Sequence, residues 1–355
     1  MSEPVAWAEL DARADAFADL VLAAGVPRGG VVAVDAPGSI EAAAAILGIV
    51  RGGAVAAPLP DGRTAVERGV SLELLDPVLV LGRDSVARAG RVLDAPGVVV
   101  LTSGTTAAPK GVVLPTTALD ASSASWTAAL PPATGWLLAL GLAHVAGIGV
   151  LWRAAAARVP MWAAAPGDAE AQLAALRGDP APSHVSLVPA QLVRLLDLAG
   201  GAPPPPTLRA VLLGGGSIPP ALVIRALDAG WPVVPTYGLS EAGSGVTALA
   251  TDEALEASAS AGRPLPGVRV TIDDAGTDGV GEIVVETPAR FSGYLDDMPA
   301  EGPIRTGDMG RLDEAGRLFV VDRRVDLIVR GGENVSPAEV EAVLTAQPAI
   351  GDAAV

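Results

Sequence analysis

Apolar residues in the N-terminal half of the chain follow two alternating patterns, one with helical spacing and one of short continuous runs. In residues 6–24 the apolar positions lie three and four apart, which predicts a first helix. The runs at 31–37 and 54–59 are typical of buried strands. The segment 39–53 between them has helical spacing and begins at Ser39, a favourable N-cap. Strand, helix and strand in this order predict a parallel βαβ unit.

The same alternation of strands and helices repeats from residue 138 to residue 235, and the pattern changes after about residue 265. Beyond that point, VRVTI (268–272), GEIVVE (281–286) and GRLFVVDRR (316–324) are short alternating segments separated by turn residues. This pattern predicts a region of antiparallel hairpins. A final helix is predicted at 336–347, because a serine at the N-cap position is followed by proline.

Small hydroxyl and glycine residues follow the apolar run 98–101 within VVVLTSGTTAAPKGVVL (98–114). Backbone N–H groups and hydroxyls can converge on a phosphate where no bulky side chain intervenes. Lys110 adds a compact positive charge, and it is the only lysine among the 355 residues. Because Pro109 and Gly111 flank this lysine, the segment is not a Walker A loop. It predicts a different kind of phosphate-binding loop.

Three other segments carry candidate chemistry, each with a simpler alternative. In YGLSEAGSG (237–245) a carboxylate beside a hydroxyl could hold Mg²⁺ together with phosphate and water, although a solvated turn has the same composition. The glycines 214–216 follow a strand and could let a flat base approach the backbone, or they could form an ordinary helix-entry turn. His144 could serve a binding site or a structural hydrogen bond.

The segments TSGTTAAPKG (102–111), YGLSE (237–241) and RTGDMGRLDEAGRLFVVDRR (305–324), in this order, resemble the signatures of the acyl-adenylate-forming enzymes. This family includes acyl-CoA synthetases, luciferases and free-standing adenylation domains. Ala107 replaces the usual glycine of the first signature. The segments HVAGIGVLWR, HVSLVPAQLVRLL and LLGGGSIP look most like the o-succinylbenzoate–CoA ligase branch of menaquinone synthesis. The resemblance implies an AMP-forming ligase that converts a carboxylic acid and ATP to an acyl-adenylate and then transfers the acyl group to coenzyme A.

The resemblance also assigns roles to residues. It makes Lys110, Glu241 and His144 catalytic, with Glu241 as the Mg²⁺ ligand and His144 at the acyl site. Asp308 and Arg323 would contact the ribose, Ser240 a phosphate, and Tyr237 the adenine. The implied nucleotide-binding residues are Thr102, Ser103, Gly104, Thr105, Thr106, Lys110, Gly214, Gly215, Gly216, Thr236, Tyr237, Gly238, Ser240, Asp308 and Arg323.

The expected fold is α/β, with a large N-terminal adenylation domain at 1–322 made of βαβ-layered sheets and a small β-barrel-like subdomain. Residues 323–355 would form the hinge and the start of a truncated α+β C-terminal domain. Val325 occupies the hinge position, where the family commonly has a charged or polar residue. The family's second lysine, which orients the carboxylate and the α-phosphate, has no counterpart. We expect that the chain is a truncated form of a longer protein. A natural variant that lacks this half of the C-terminal domain is the alternative.

Composition narrows the class of protein and of partner. The absence of cysteine excludes disulfides and thiolate metal sites. The N-terminus lacks the apolar region of a signal peptide, and Arg51, His144 and Arg153 interrupt the longest apolar runs, so we expect a cytoplasmic protein without a membrane partner. A net charge of −16 argues against nucleic acid and requires local positive charge, with Mg²⁺, for ATP binding.

Two alternatives to the acid–CoA ligase stay open at this point. One is an adenylating enzyme that loads an aryl or fatty acid onto an acyl carrier protein. The other is a module that binds nucleotide and acid with little turnover, since the second lysine has no counterpart. A homodimer is also left open.

Overall fold

The computed structural model describes residues 3–82, 84, 86–102, 110–323, 328–330, 333–335 and 344. Within these residues the helices are α1 (Trp7–Ala23), α2 (Ile40–Arg51), α3 (Ala65–Leu75), α4 (Thr116–Ala129), α5 (Val145–Ala157), α6 (Ala169–Leu176), α7 (Pro189–Ala199) and α8 (Pro220–Asp228). None of the described helices combines the length and the apolar character needed to cross a bilayer.

The first sheet has six strands in the order β15-β5-β4-β2-β1-β3. Their bounds are β1 (Val31–Asp35), β2 (Val55–Leu59), β3 (Leu79–Val80), β4 (Gly97–Thr102), β5 (Lys110–Pro115) and β15 (Gly293–Tyr294). The strands β1 to β4 are parallel, whereas β5 runs antiparallel to β4 and β15 antiparallel to β5. A late segment of the chain therefore forms one edge of an early sheet.

The second sheet has seven strands in the order β12-β11-β10-β9-β8-β6-β7. Their bounds are β6 (Trp136–Leu138), β7 (Met161–Ala163), β8 (His184–Leu187), β9 (Ala210–Leu213), β10 (Val233–Tyr237), β11 (Thr247–Ala248) and β12 (Arg263–Pro264). The strands β6 to β10 are parallel, and β11 and β12 continue the sheet in antiparallel fashion.

The third sheet is antiparallel and contains β13 (Arg269–Asp273), β14 (Gly281–Glu286), β16 (Ile304–Leu312) and β17 (Leu318–Arg323). The strands β18 (Ile328–Arg330) and β19 (Glu333–Val335) form a separate hairpin. This arrangement confirms the α/β class and the change to antiparallel hairpins near residue 265. The boundary between 322 and 323 stays a prediction, and the hinge position Val325 and the helix predicted at 336–347 lie outside the described part of the chain, apart from residue 344.

Local sequence signals explain several element ends. The helix predicted after Ser39 is α2, and the Ser39 hydroxyl accepts a hydrogen bond from the Ala42 amide at 3.2 Å. The sequence prediction did not include α3, α4 or β5. Of these, β5 matters most for the site, because it places Lys110 at the first residue of a strand rather than inside a loop.

One continuous core of small aliphatic side chains joins the first two sheets, with Leu114 and Leu138 among its fully buried members. Two ionisable side chains, Arg153 of α5 and His184 of β8, are also buried on the second sheet. The Nδ1 atom of His184 lies 2.8 Å from the Ser183 hydroxyl, and its ring centroid lies 4.9 Å from that of Trp136. Burial lowers the pKa of His184 to about 4, and the positive charge of Arg153 contributes in the same direction.

We predict that His184 makes the free energy of unfolding depend on pH between about 6.5 and 4. An unfolded histidine binds a proton below about pH 6.5, whereas folded His184 stays neutral down to about pH 4. The contribution of neutral His184 to the free energy of unfolding is therefore fully present above about pH 6.5 and is lost as the pH falls towards 4. Urea unfolding at several pH values should show a shallower slope for His184→Gln than for the wild type in this window.

The comparison uses slopes rather than absolute stabilities, because the substitution also changes packing. His144→Gln, which removes the chain's other imidazole from an exposed position, is the control. An identical slope for His184→Gln and the wild type would contradict the prediction.

Candidate active site

The ends of the predicted phosphate loop lie side by side at the end of the β4–β5 pair. Thr102 is the register partner of Lys110, and its hydroxyl donates to the Lys110 carbonyl oxygen at 3.4 Å. The strand predicted at 98–101 is thereby confirmed. The predicted loop residues Ser103, Gly104, Thr105 and Thr106 lie outside the described residues. The Lys110 side chain is exposed at the mouth of this hairpin.

The residue directly after Lys110 is a glycine, and a side chain there would displace the Leu295 side chain, which follows β15. A Cβ atom on Gly111 would lie 2.4 Å from Cδ1 of Leu295, closer than real Cβ atoms approach. The Leu295 amide also donates to the Gly111 carbonyl at 2.8 Å. The chain can therefore pack β15 and the residue after it against β5, which brings Tyr294 next to Lys110.

Tyr294 contacts both of the charged residues that the sequence marked as catalytic. The Lys110 ammonium lies 5.0 Å from the centroid of the Tyr294 ring, within the range of a cation–π interaction. The Tyr294 hydroxyl donates to Oε1 of Glu241 at 2.9 Å. Burial raises the pKa of Tyr294 above its ordinary value, and the Glu241 carboxylate raises it further. The phenol therefore remains a hydrogen-bond donor at neutral pH.

Glu241 lies in a short 3-10 turn, Ser240–Ala242, which follows β10. Its carbonyl oxygen accepts from the Phe291 amide at 2.8 Å, which ties this turn to the segment before Tyr294. No cluster of three metal-ligating side chains occurs in the described part of the chain. A single carboxylate fits Mg²⁺ that arrives with a nucleotide, because that ion takes one or two protein oxygens and completes its shell with phosphate and water.

A second tyrosine joins the second and third sheets. Tyr237 ends β10, and its hydroxyl donates to Oδ2 of Asp308 in β16 at 2.7 Å. Asp308 is in turn the register partner of Arg323 across β16 and β17, so these two predicted ribose contacts are adjacent in the backbone. The position of the Arg323 side chain is outside the described part of the structure.

The glycine loop after β9 and the end of β10 contact each other closely. The Thr236 hydroxyl donates to the Leu213 carbonyl at 3.0 Å, and a Cβ on Gly214 would lie 2.4 Å from that hydroxyl oxygen. Gly215 has a φ of +77°, which favours glycine. A Cβ on Gly238 would lie 1.6 Å from the Ser244 carbonyl oxygen. Gly214 and Gly238 therefore leave no room for a larger residue, whereas Gly216 has open space around it.

His144 is exposed and occupies the N-cap position of α5, without a side-chain capping hydrogen bond. The contacts that join Tyr294 to Lys110 and Glu241, and Tyr237 to Asp308, do not include His144. Its role at an acyl site stays a prediction.

Sequence reasoning did not find Tyr294, although the composition held a signal. The chain has only two tyrosines. Each one donates its hydroxyl to a carboxylate of the candidate site, Tyr237 to Asp308 and Tyr294 to Glu241. The scarcity of this residue type could have directed attention to both positions.

Comparison with known proteins gives relatives and a fold match. A 2-succinylbenzoate–CoA ligase from Geobacillus kaustophilus is 36% identical over 282 residues, which is 74% of this chain and 56% of the relative. The corresponding ligase from Bacillus licheniformis is 36% identical over 275 residues, covering 74% of this chain and 57% of the relative. The matches thus span a little over half of the length of these curated relatives.

Solved structures match over nearly the whole chain. The o-succinylbenzoate CoA synthetase of Bacillus subtilis in complex with its acyl-adenylate intermediate superposes with a TM-score of 0.88 and 28% identity, covering 98% of this chain and 79% of the other. The same enzyme with ATP and magnesium ion gives a TM-score of 0.87 and 28% identity, covering 98% and 81%.

The model of the family described as AMP-binding enzyme matches residues 2–98 and 88–295, more than half of the chain. The resemblance inferred from the phosphate loop and the YGLSE and TGD segments is therefore confirmed. The chain belongs to the AMP-binding enzyme family.

Proposed function

We propose that the chain belongs to an AMP-forming acid–CoA ligase that activates 2-succinylbenzoate. In the proposed reaction a carboxylate oxygen attacks the α-phosphorus of ATP and pyrophosphate leaves with the electron pair of the broken P–O bond. The thiol of coenzyme A then attacks the acyl carbonyl and releases AMP. The names of the relatives and the complexes of the Bacillus subtilis enzyme with ATP and magnesium or the acyl-adenylate support this assignment.

The contact of Tyr294 with both Lys110 and Glu241 is the observation that carries the proposal. The ammonium group would neutralise charge on the triphosphate, and the carboxylate would hold Mg²⁺ against the same phosphates. Asp308, held by Tyr237, offers two carboxylate oxygens to the ribose hydroxyls. Catalysis would then consist mainly of positioning and charge neutralisation. An acyl carrier protein as acceptor and a homodimer stay predictions.

Pyrophosphate exchange tests the proposed activity directly. The protein is incubated with ATP, Mg²⁺ and labelled pyrophosphate, with 2-succinylbenzoate, benzoate or a fatty acid as the carboxylic acid. Exchange that depends on 2-succinylbenzoate supports the assignment. Exchange with a fatty acid alone would instead indicate a fatty acid as the substrate. If the full-length protein binds ATP and the carboxylic acid but catalyses no exchange with any acid, the alternative of a binding module with little turnover is favoured.

We predict that Lys110→Ala weakens binding of Mg²⁺–ATP about tenfold or more, the factor typical of losing one hydrogen bond to a charged group. Because the lysine acts on the phosphate tail, the affinity for AMP should change less. Calorimetric titration with both nucleotides measures the two effects. Arg13→Ala, which removes an exposed cation of α1, is the control. Equal losses for ATP and AMP would place Lys110 away from the terminal phosphates.

Asp308→Ala is expected to weaken the binding of ATP and of AMP by a similar factor, since both nucleotides carry the same ribose. We expect about tenfold, because a carboxylate that accepts two hydroxyl hydrogen bonds is lost. Tyr237→Phe serves as the companion variant, as it removes the hydroxyl that holds Asp308. Wild-type affinity of Asp308→Ala for both nucleotides would exclude the ribose role.

Tyr294→Phe should raise the Mg²⁺ concentration needed for ATP binding by about tenfold, because removing the partner of a metal ligand commonly has this effect. The phenyl ring is retained for Lys110, so the affinity for AMP without metal should stay close to that of the wild type. Tyr294→Leu, which also removes the aromatic ring, should weaken ATP binding further. A wild-type Mg²⁺ requirement in Tyr294→Phe would contradict this role.

A further inference from the structure

Strand β16 bulges away from β14 at the residues that include the candidate ribose ligand. Val284 of β14 is the register partner of Arg305, and Glu282 is that of Met309. Between these two pairs, one residue of β14 lies opposite the three residues 306–308 of β16. Bulges commonly occur next to active sites, where they redirect a side chain. The shape of this bulge therefore determines where the carboxylate of residue 308 lies.

The buried carboxylate of Glu282 binds the bulge at two places. Its Oε1 atom accepts a hydrogen bond from the Gly307 amide at 3.3 Å, and its Oε2 atom accepts one from Arg305 at 2.6 Å. Gly307 has a φ of +73°, a conformation that favours glycine. One carboxylate thus contacts the backbone directly before Asp308 and the side chain three positions before it.

Further hydrogen bonds tie the bulge to the neighbouring strands. The Thr306 hydroxyl donates to the Ile283 carbonyl oxygen of β14 at 2.8 Å and accepts from the Asp308 amide at 3.1 Å. Arg305 also donates to Oδ2 of Asp273 in β13 at 2.6 Å. The backbone around the candidate ribose ligand is therefore held by hydrogen bonds within the third sheet, separately from the Tyr237 hydroxyl that holds its carboxylate.

The two ion pairs that Glu282 and Glu286 form from β14 differ in burial. The Glu282 side chain is only 7% exposed, and its partner Arg305 is 52% exposed. The Glu286 side chain is 50% exposed, and its partner Arg269 is 71% exposed. Removing a carboxylate from water is costly, so a pair with a buried anion contributes little net stability. The geometry that Glu282 imposes on the bulge is then its more specific effect.

We propose that Glu282, paired with Arg305, is a positioning residue that fixes Asp308 against the ribose hydroxyls of the nucleotide. This inference rests on the proposed function, because the ribose role of Asp308 is part of it. A carboxylate accepts hydrogen bonds from two hydroxyls only when its position is fixed closely, which requires support from the residues around it. Loss of Glu282 should therefore weaken recognition of the hydroxyls and leave the contacts to base and phosphate in place.

The test compares AMP with its dideoxy analogue, which lacks both ribose hydroxyls. Calorimetric titration measures both affinities without turnover. The wild type should bind AMP at least about tenfold more tightly than the analogue, the factor expected for hydrogen bonds to a charged group. In Glu282→Leu this ratio should fall by about threefold or more, the factor typical of one lost hydrogen bond. The affinity of this variant for the analogue should stay close to that of the wild type.

Three further variants separate a positioning role from a structural one. Glu286→Leu removes the exposed carboxylate of the same strand and should keep the wild-type ratio. The double variant Glu282→Leu with Arg305→Met leaves no unpaired charge and should show the same reduced ratio, even if the single variant does not fold. Adding Glu282→Leu to Asp308→Ala should change neither affinity, because the effect passes through the Asp308 carboxylate. A further loss of both nucleotides in that background would show a structural role and overturn the proposal.

The outcomes also separate this inference from the proposed function. A wild-type protein that binds AMP and its analogue equally would refute the ribose role of Asp308, and this inference with it. A wild-type protein that prefers AMP while Glu282→Leu retains the same preference would refute only the role of Glu282. Because the titrations contain no carboxylic acid, the identity of the acid substrate does not affect their result.

Discussion

The contact between Tyr294, Lys110 and Glu241 is the constraint on which the candidate site depends. The ring face attracts the ammonium group, and the hydroxyl donates to the carboxylate. Burial and Glu241 raise the pKa of the phenol, which keeps its proton on the oxygen and preserves this polarity. The tyrosine thus holds a cation and an anion close together through separate contacts. Lys110 and Glu241 thus meet on one tyrosine through different parts of its side chain.

The order of strands in the sheets explains how such distant residues meet. Glu241 and Tyr294 are 53 positions apart, and Tyr237 and Asp308 are 71 apart. The first contact forms because β15 joins the edge of the first sheet beside β5. The second forms because β16 of the third sheet reaches the end of β10. Each tyrosine therefore lies where a late segment of the chain meets an earlier sheet, so assembly of the site requires long-range pairing as well as correct local structure.

The parts that could be predicted from the sequence are those with a repeated local signal. The segment after Ser39 has both a cap and helical spacing, and the strands at 31–37 and 54–59 are mostly apolar runs, so local patterns predicted these elements. Tyr294 belongs to a strand of two residues, and two residues show no periodicity. Its position depends on the absence of a side chain at Gly111 and on the packing of Leu295, which become visible only when the strands are paired.

Arg153 is a second residue whose position the local sequence pattern did not predict. Along the sequence it is an interruption of an apolar run, and a surface position would be the ordinary expectation. The ion pairs of the described residues all use arginine, mostly with exposed partners such as Glu9 and Asp197, whereas Arg153 lies among buried indoles. The indoles around Arg153 come from α4 and β6, so its buried position becomes visible only when these elements pack against α5.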